Sequence, residues 1–413
     1  MKMKPQLRGQ RGQVLMLILV AMVAIIGCVA ISGDIGYLQY ERAQMQTAAD
    51  SAAIAASQEL NYGDVVAAGQ ADAATNGFTN GQKGVTVTIN NPPKSGPNTA
   101  NDQYVEAIVA QPVSTFFLRA LGFTSINVSA RAVSAFGNSP NCMYITDPSA
   151  ASAMLVNGNI NIQSSCGILV DSSSSTGLLA NGNITIDAQT IGVVGNYLAN
   201  GNVSLTPTPR TGMIAAADPL AYVSAPTVGS CTHTNFTLNG NNGSHSSYYQ
   251  LYPGVYCGGI LLNGNTYANF NAGTYILAGG GMTVNGNAWL TGAGITFYNT
   301  TGTGGYQAIT LNGNTQANFS APTSGALAGI LFFQDRSVSS SSPGSIINGN
   351  SSSTFDGALY FPTTQLTYNG NSSSSGYTII VADKLLINGN SHMGNNYSSL
   401  ADGSPIKAAT LAE

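Results

Sequence analysis

The sequence predicts a mainly β protein: a right-handed parallel β-helix preceded by a long N-terminal transmembrane helix and a small α+β domain. Three observations lead there. The tripeptide Asn-Gly-Asn occurs ten times from Asn157 onward, at a spacing close to the period of about 20 residues that marks solenoids. Short apolar runs such as Met154-Leu155-Val156, Ile260-Leu261-Leu262 and Leu385-Leu386-Ile387 precede the triplets. Near the N-terminus an uncharged apolar run, residues 14–32, follows the basic residues Lys2, Lys4, Arg8 and Arg11.

The triplet reads as a turn. Glycine takes positive φ at no steric cost, and asparagine tolerates the left-handed region better than other residues with a Cβ. Stacked from coil to coil, Asn157 and Asn159, Asn181 and Asn183, Asn263 and Asn265, Asn285 and Asn287, Asn312 and Asn314, and Asn388 and Asn390 are expected to form a ladder. Its side chains would hydrogen-bond at the strand spacing of about 4.8 Å. Phe270, Phe319 and Phe355 each fall five residues after their triplet, which predicts one interior aromatic column. The wide gaps after Asn200 and after Asn312 each leave room for a degenerate copy. Because the spacing is irregular, a β-sandwich or propeller stays open. The Ser-rich runs 172–175, 339–342, 351–353 and 372–375, and the Pro-containing segments 206–209 and 219–226, read as loops projecting from one side.

Residues 14–32 just suffice for a bilayer helix, which needs about 20 apolar residues. The positive-inside rule puts residues 1–13 in the cytoplasm and the bulk of the chain outside. Two other readings remain. Ala30-Ile31-Ser32 resembles a signal-peptidase site, although the run exceeds the usual signal core of about 7–15 residues; Ile25-Ile26-Gly27-Cys28 resembles a lipobox, with Cys28 lipidated. Residues 14–60 read as the membrane helix and its outward extension. There Ala48, Ala49, Ala52, Ala53, Ala55 and Ala56 either admit a second helix or simply favour helix. Residues 61–137 read as an α+β neck with strands at 85–89, 104–109 and 126–133, a short helix within 112–121, and Phe116 and Phe117 in its core. The solenoid takes residues 138–406, and residues 407–413 are a frayed tail.

Cys142, Cys166, Cys231 and Cys257 all lie on the exported side, where an even number favours two disulfides. Neighbour pairing, Cys142–Cys166 and Cys231–Cys257, is the simplest of the three connectivities and would staple adjacent coils. Metal ligation is disfavoured, since no Cys-x2-Cys occurs and His233, His245 and His392 lack ligand spacing.

Arg11-Gly12-Gln13-Val14-Leu15, the apolar run, Gly33-Asp34-Ile35-Gly36-Tyr37 and Gln46-Thr47-Ala48-Ala49-Asp50-Ser51-Ala52-Ala53-Ile54-Ala55-Ala56 follow one another in order. This stretch resembles the N-terminal domain of Tad-type (TadG-like) Flp pilus-assembly proteins. Tyr104-Val105-Glu106, Phe116-Phe117, Leu121-Gly122 and Ala130-Arg131-Ala132-Val133 are similar to the membrane-proximal part of that family. The resemblance implies a bacterial inner-membrane anchor, with other Tad/Flp pilus-assembly proteins as partners. It departs from true type IV pilins: were Gly12 the cleavage glycine, Leu17 would stand where a pilin has Glu.

Charged residues make up 7% of the chain, against about 25% in globular proteins. The net charge of −4 offers no basic stripe, which argues against nucleic acid. A β-helix polysaccharide lyase or hydrolase would need two carboxylates about 5–10 Å apart. Asp147, Asp171, Asp187, Asp218, Asp335, Asp356 and Asp383 share no column when counted from their triplets, and Asp335-Arg336 and Asp383-Lys384 read as local ion pairs. No nucleophile elbow, phosphate loop or calcium repeat occurs. The residues themselves therefore predict an inert, non-catalytic rod held at a membrane, with no cofactor, and the resemblance implies a structural role in Flp/Tad pilus assembly or a related surface appendage. The alternative is a surface adhesin that contacts glycans through Tyr222, Tyr248, Tyr249, Tyr252, Tyr267, Tyr306 or Tyr397.

Overall fold

The computed structural model describes residues 11–413 apart from 61–62, 303, 313, 350–352, 371–375 and 402. Lys2, Lys4, Arg8, the triplet members Gly313, Asn350 and Asn371, and the serines at 351–352 and 372–375 lie outside the described residues, as do the side chains of Arg11, Val14 and Leu15. The chain divides into two compact units, residues 1–137 with 408–413 and residues 138–407.

In the first unit, helix α1 spans Arg11–Gln58. Among the described residues it is the one helix long and apolar enough to cross a membrane, and its apolar window is wholly exposed. Further along, Met45, Ala48, Ala49, Ala52 and Ala53 are fully buried in a core with Val87, Ala107, Val109, Ala130 and Ala132. The small side chains do admit a second helix. It is α2, Val65–Thr75, where a Cβ on Gly69 would stand 3.1 Å from the Ala52 carbonyl oxygen. Asp64 caps α2 by accepting the N–H groups of Val66 and Ala67 at 3.0 Å.

Strands Thr86–Asn90, Tyr104–Ser114 and Ser125–Asn138 pair antiparallel beneath these helices. Pro112 is in a strand rather than a helix; it falls beyond Ala110, the first strand's last partner, where the middle strand has one neighbour only. The short helix contracts to a 3-10 turn, Leu118–Leu121. Phe116 and Phe117 are not core residues: they are 64% and 56% exposed.

The C-terminus corrects the sequence reading. Residues 407–413 do not fray, because Lys407–Leu411 is the fourth strand of this sheet. The Val133 N–H donates to the Glu413 carbonyl at 3.0 Å and the Ala412 N–H to the Val133 carbonyl at 2.8 Å. Arg131 holds Glu413 and the buried Glu106, each at 2.6 Å. The solenoid is thus an insertion between the third and fourth strands of the neck. A partner so distant in sequence leaves no local trace.

The second unit is a parallel β-solenoid of about 10 turns. A coil has three straight stretches. In one, residues 254–257 pair with 275–278, residues 260–263 with 282–285 and residues 266–270 with 288–292 of the next coil. Phe270, Phe319 and Phe355 share an interior column, with ring centroids 5.5 and 6.3 Å apart in sequence order. Gly292 occupies that column between the first two rings, and a Cβ there would meet the Phe270 Cβ at 3.1 Å.

The coils do not stack in chain order. Those from residue 233 to residue 393 stack in sequence, and the last then lies on the first: Ile380 pairs with Met143 and Leu386 with Leu155. Residues 141–206 continue the stack and end at strand Tyr197–Thr206. The gap after Asn200 therefore hides no degenerate copy. Residues 207–232 must return from one end of the stack to the other. The gap after Asn312 is one long coil, containing Gln316–Ser320 and Ile330–Gln334.

The returning segment is a strap, not a projecting loop. Arg210 bridges to Gly192, and the Ala216 N–H donates to Asp171 at 3.1 Å. Arg336 donates to the carbonyls of Leu220 and Val223 at 2.5 and 3.0 Å, and Leu220 is fully buried. Arg336 pairs with Asp218 of the strap at 3.7 Å, while Asp335 accepts a bond from Thr300 at 2.5 Å. The local Asp335–Arg336 pair is therefore absent. Its cause is an apolar outer column, Val255, Ile276, Tyr298, Phe333, Tyr360, Val381, Tyr144 and Leu169, all buried. Strands covered on both faces read as unbroken apolar runs, and Arg336 lies over the rings of Phe333 and Tyr360 at 5.1 and 5.0 Å. Two serines expected in loops are likewise inside. The Ser172 hydroxyl donates to the Ala150 carbonyl at 2.6 Å, and that of Ser353 accepts the Ala317 N–H at 3.1 Å.

Two outcomes test this account. Burial raises the Glu106 pKa, but donors from Ser95, Arg131, Asn90 and the Lys94 N–H outweigh it and hold it at about 2. A depressed carboxylate stabilises the fold above its ordinary pKa of 4.5, and that contribution is lost as pH falls toward about 2. Hydrogen-exchange protection in strand Tyr104–Ser114, taken relative to the intrinsic rate at each pH, should fall across that window, and Glu106→Gln should flatten the dependence while costing about 2 kcal/mol at neutral pH. Arg336→Ala should expose residues 207–232 to limited proteolysis; an unchanged cleavage pattern would show that Arg336 does not hold the strap.

Candidate functional site

The triplets come together as one column. Asn239 aligns with Asn263 and Asn285, and Asn157 with Asn181 and Asn200; pairings beside the triplets carry the register through Asn312, Asn348, Asn369 and Asn388 to Asn157. Amide side chains bond along it: Asn181 donates to Asn157 at 3.1 Å, Asn263 to Asn239 at 2.8 Å, Asn285 to Asn263 at 3.1 Å and Asn312 to Asn285 at 3.2 Å. Third-position asparagines add Asn183 to Asn159 at 2.5 Å and Asn202 to Asn183 at 2.7 Å. Asn390 accepts the Asn161 N–H at 2.8 Å across the junction of last and first coil. The central glycine is a steric requirement. At Gly182, φ is +126° and a Cβ would stand 2.2 Å from the Gly158 carbonyl oxygen.

The disulfides join adjacent coils. Cys142 and Cys166, and Cys231 and Cys257, are bonded with Cα–Cα distances of 5.6 Å. The first is buried beside the junction; the second ties the end of the strap to the coil of Gly254–Asn263. Closing a loop of this size removes about 3 kcal/mol of unfolded-chain entropy.

The tyrosines separate into two groups. Tyr306 is buried and accepts a bond from Gln334 at 3.1 Å, Tyr397 packs on Tyr377, and Tyr222 donates to the Pro405 carbonyl. Tyr248 and Tyr267 instead join an aromatic group on the outer face. Tyr267 stacks on Trp289 with centroids 4.4 Å apart and an interplanar angle of 2°; the exposed His245 meets both rings edge-on at 4.5 and 5.2 Å. Tyr248 approaches Tyr267 at 5.9 Å. Gln316 continues the column, and Asn269 donates to Gln250 at 2.9 Å beside it. Tyr249 and Tyr252 are exposed nearby in sequence. Sequence reasoning omits Trp289 and weighs His245 only as a metal ligand. The signal for Trp289 is its offset: Tyr267, Trp289 and Gln316 each stand two residues after a triplet. His245 comes from an irregular loop and has no such signal. Half-exposed flat rings beside amides can stack on apolar faces and orient polar ones.

The carboxylates are mostly dispersed. Asp356 accepts the Gly376 N–H at 3.1 Å, and Asp187 shares a groove of about 490 Å³ with Gln163 and His392 as its one carboxylate. One pair does meet, contrary to the column count, because the last coil stacks on the first. Lys384 lies 3.5 Å from Asp147 and 3.6 Å from Asp383. Burial and then the Asp147 charge raise the Asp383 pKa. Burial also acts upward on Asp147, but the N–H groups of Ser149 and Ala150 and the Lys384 charge bring it below its ordinary value. An ammonium between the two makes this an ion triad fastening the junction.

The apolar helix carries the decisive comparison. Residues 12–72 match the family model Tad, Flp pilus-assembly TadE/G-like. The Tad segment thus covers α1 from Gly12 and most of α2, ending before the solenoid begins. No match was found among curated proteins or solved structures.

If the ladder glycine is the steric element, Gly182→Ala should cost at least about 2 kcal/mol through forced strain. Asn285→Ala removes two exposed amide bonds and should cost about 1 kcal/mol. Thermal denaturation distinguishes them; an equal or smaller loss at Gly182 would contradict the assignment.

Proposed function

We propose that the chain is a non-catalytic, membrane-anchored structural component of Flp/Tad pilus assembly or a related bacterial surface appendage. The observation that carries this reading is the Tad match over residues 12–72, which falls on the exposed apolar helix. In this reading α1 crosses the inner membrane with residues 1–13 in the cytoplasm, and the disulfide-bonded solenoid is presented outside. The turn ladder, from Asn157 and Asn159 to Asn388 and Asn390, serves to hold the rod in register. Other Tad/Flp pilus-assembly proteins are the partners this role requires.

A second reading has its own support in the Tyr267–Trp289 stack with His245. The solenoid would then act as an adhesin, laying a pyranose ring on that platform while neighbouring amides bond its hydroxyls.

Affinity purification of the full chain from detergent-extracted membranes tests the first reading: pilus-assembly proteins should co-purify, and a variant lacking residues 12–32 should lose both them and the membrane. Purification alone, from membranes that contain the pilus apparatus, would contradict it. For the second reading, Trp289→Ala should remove binding on a glycan array; wild-type protein that binds no glycan would refute it.

A further inference from the structure

The hairpin between strands Tyr104–Ser114 and Ser125–Asn138 ends in an apolar tip that the described residues of its unit cover only in part. Phe116, Phe117, Leu121 and Phe123 are all more than half exposed, at 56–65%. A soluble fold seldom gathers three phenylalanines and a leucine on one loop without a partner. The loop is nonetheless well held. The Thr115 N–H donates to the Thr124 carbonyl at 3.2 Å, and the Thr115 hydroxyl to the Phe123 carbonyl.

The loop is also pinned to one level of α1. Asp34, 1% exposed, accepts the N–H groups of Phe116, Phe117 and Leu118 at 2.8, 2.8 and 2.6 Å. A Cβ on Gly33 would stand 3.7 Å from the Phe117 ring, and Tyr37 meets Phe116 with centroids 5.2 Å apart. Asp34 is the first charge after the apolar run of residues 14–32, in which Leu17, Val20, Ile25, Val29 and Ile31, among other described side chains, are themselves exposed. The tip therefore sits where the apolar run ends.

We propose that this tip is a second membrane contact: Phe116, Phe117, Leu121 and Phe123 insert into the interfacial layer of the bilayer that α1 crosses. The proposal rests on the anchor reading above. Aromatic rings concentrate at the level of lipid headgroups, where a flat apolar body meets a polar boundary. Arg119, exposed on the same turn, is suited to the lipid phosphates. Asp34 gains its role here. By satisfying three backbone donors of the tip, it lets that backbone enter a layer where unpaired N–H groups are costly. The neck would then be fixed to the membrane at two points and could not swing freely about its helix.

The test uses the full chain reconstituted in phosphatidylcholine–phosphatidylglycerol vesicles. Trp289→Phe removes the chain's one tryptophan, and Phe117→Trp or Leu121→Trp then places a single indole at the tip. Both positions are exposed, so two independent variants guard against misfolding of either. The expected result for each is blue-shifted emission, at least twofold quenching by lipids brominated near the carbonyl end of the acyl chain, and weak quenching by aqueous acrylamide. Free quenching by acrylamide with no effect of brominated lipid, in protein that stays with the vesicles through an alkaline carbonate wash, would overturn the tip proposal and leave the anchor standing. Release of the protein by the wash would overturn the anchor reading and the proposal with it.

Discussion

The solenoid depends on a contact that forbids a side chain. At the Asn-Gly-Asn turns of Gly182, Gly201, Gly264 and Gly286 the central residue is at positive φ, directly against the carbonyl of the neighbouring coil. At Gly201 a Cβ would stand 2.4 Å from the Gly182 oxygen, closer than any real side chain approaches. Only glycine lets coils stack there at strand spacing. Once that turn is in place, parallel pairing sets the rest. Apolar residues before the triplet face inward, and aromatic rings after it fall into a column. The asparagine bonds are exposed and individually modest; they follow from register and reinforce it.

Register also permits an unusual path through the stack. Because every coil presents the same turn, the last coil can lie on the first as well as on its own predecessor. Leu385–Ile387 on Met154–Val156, the Asp147–Lys384–Asp383 triad and the buried Cys142–Cys166 bond all fall at or beside that junction. Beginning and end of the unit are thereby neighbours, with the Ser139 N–H bonded to the Ile406 carbonyl at 3.0 Å. That is what an insertion into the neck sheet requires, since the chain must come back to supply the fourth strand. The cost is a long return, and the strap meets it by covering an apolar outer face that would otherwise be wet.

What could be read from the residues follows this division between local and distant. The coil, its turn, the phenylalanine column and the apolar helix each leave a periodic or contiguous trace, and the two cysteine pairs stand about one coil apart. The order of coils leaves none, because one Asn-Gly-Asn is as good a neighbour as another. For the same reason Arg336 looked local while its partners Asp218, Leu220 and Val223 lie on the strap. The terminal strand was hidden by its distance from Val133. At the aromatic stack, Trp289 was legible by its offset and His245 was not. Phe116 and Phe117 show the limit of reading burial from composition: apolar residues in a small domain suggest a core, and only the geometry puts them outside.

The central claim is that register alone, not chain order, decides which coils touch, and one cross-linking experiment addresses it. Leu155 and Leu386 are directly paired, whereas stacking in chain order would pair Leu198 with Thr237 instead. Cysteine pairs placed at each, in the full chain under mild oxidation, are close enough to bond only if the coils adjoin. Non-reducing peptide mass spectrometry should find the Leu155→Cys/Leu386→Cys link and no link between Leu198→Cys and Thr237→Cys. The reverse pattern would contradict the account.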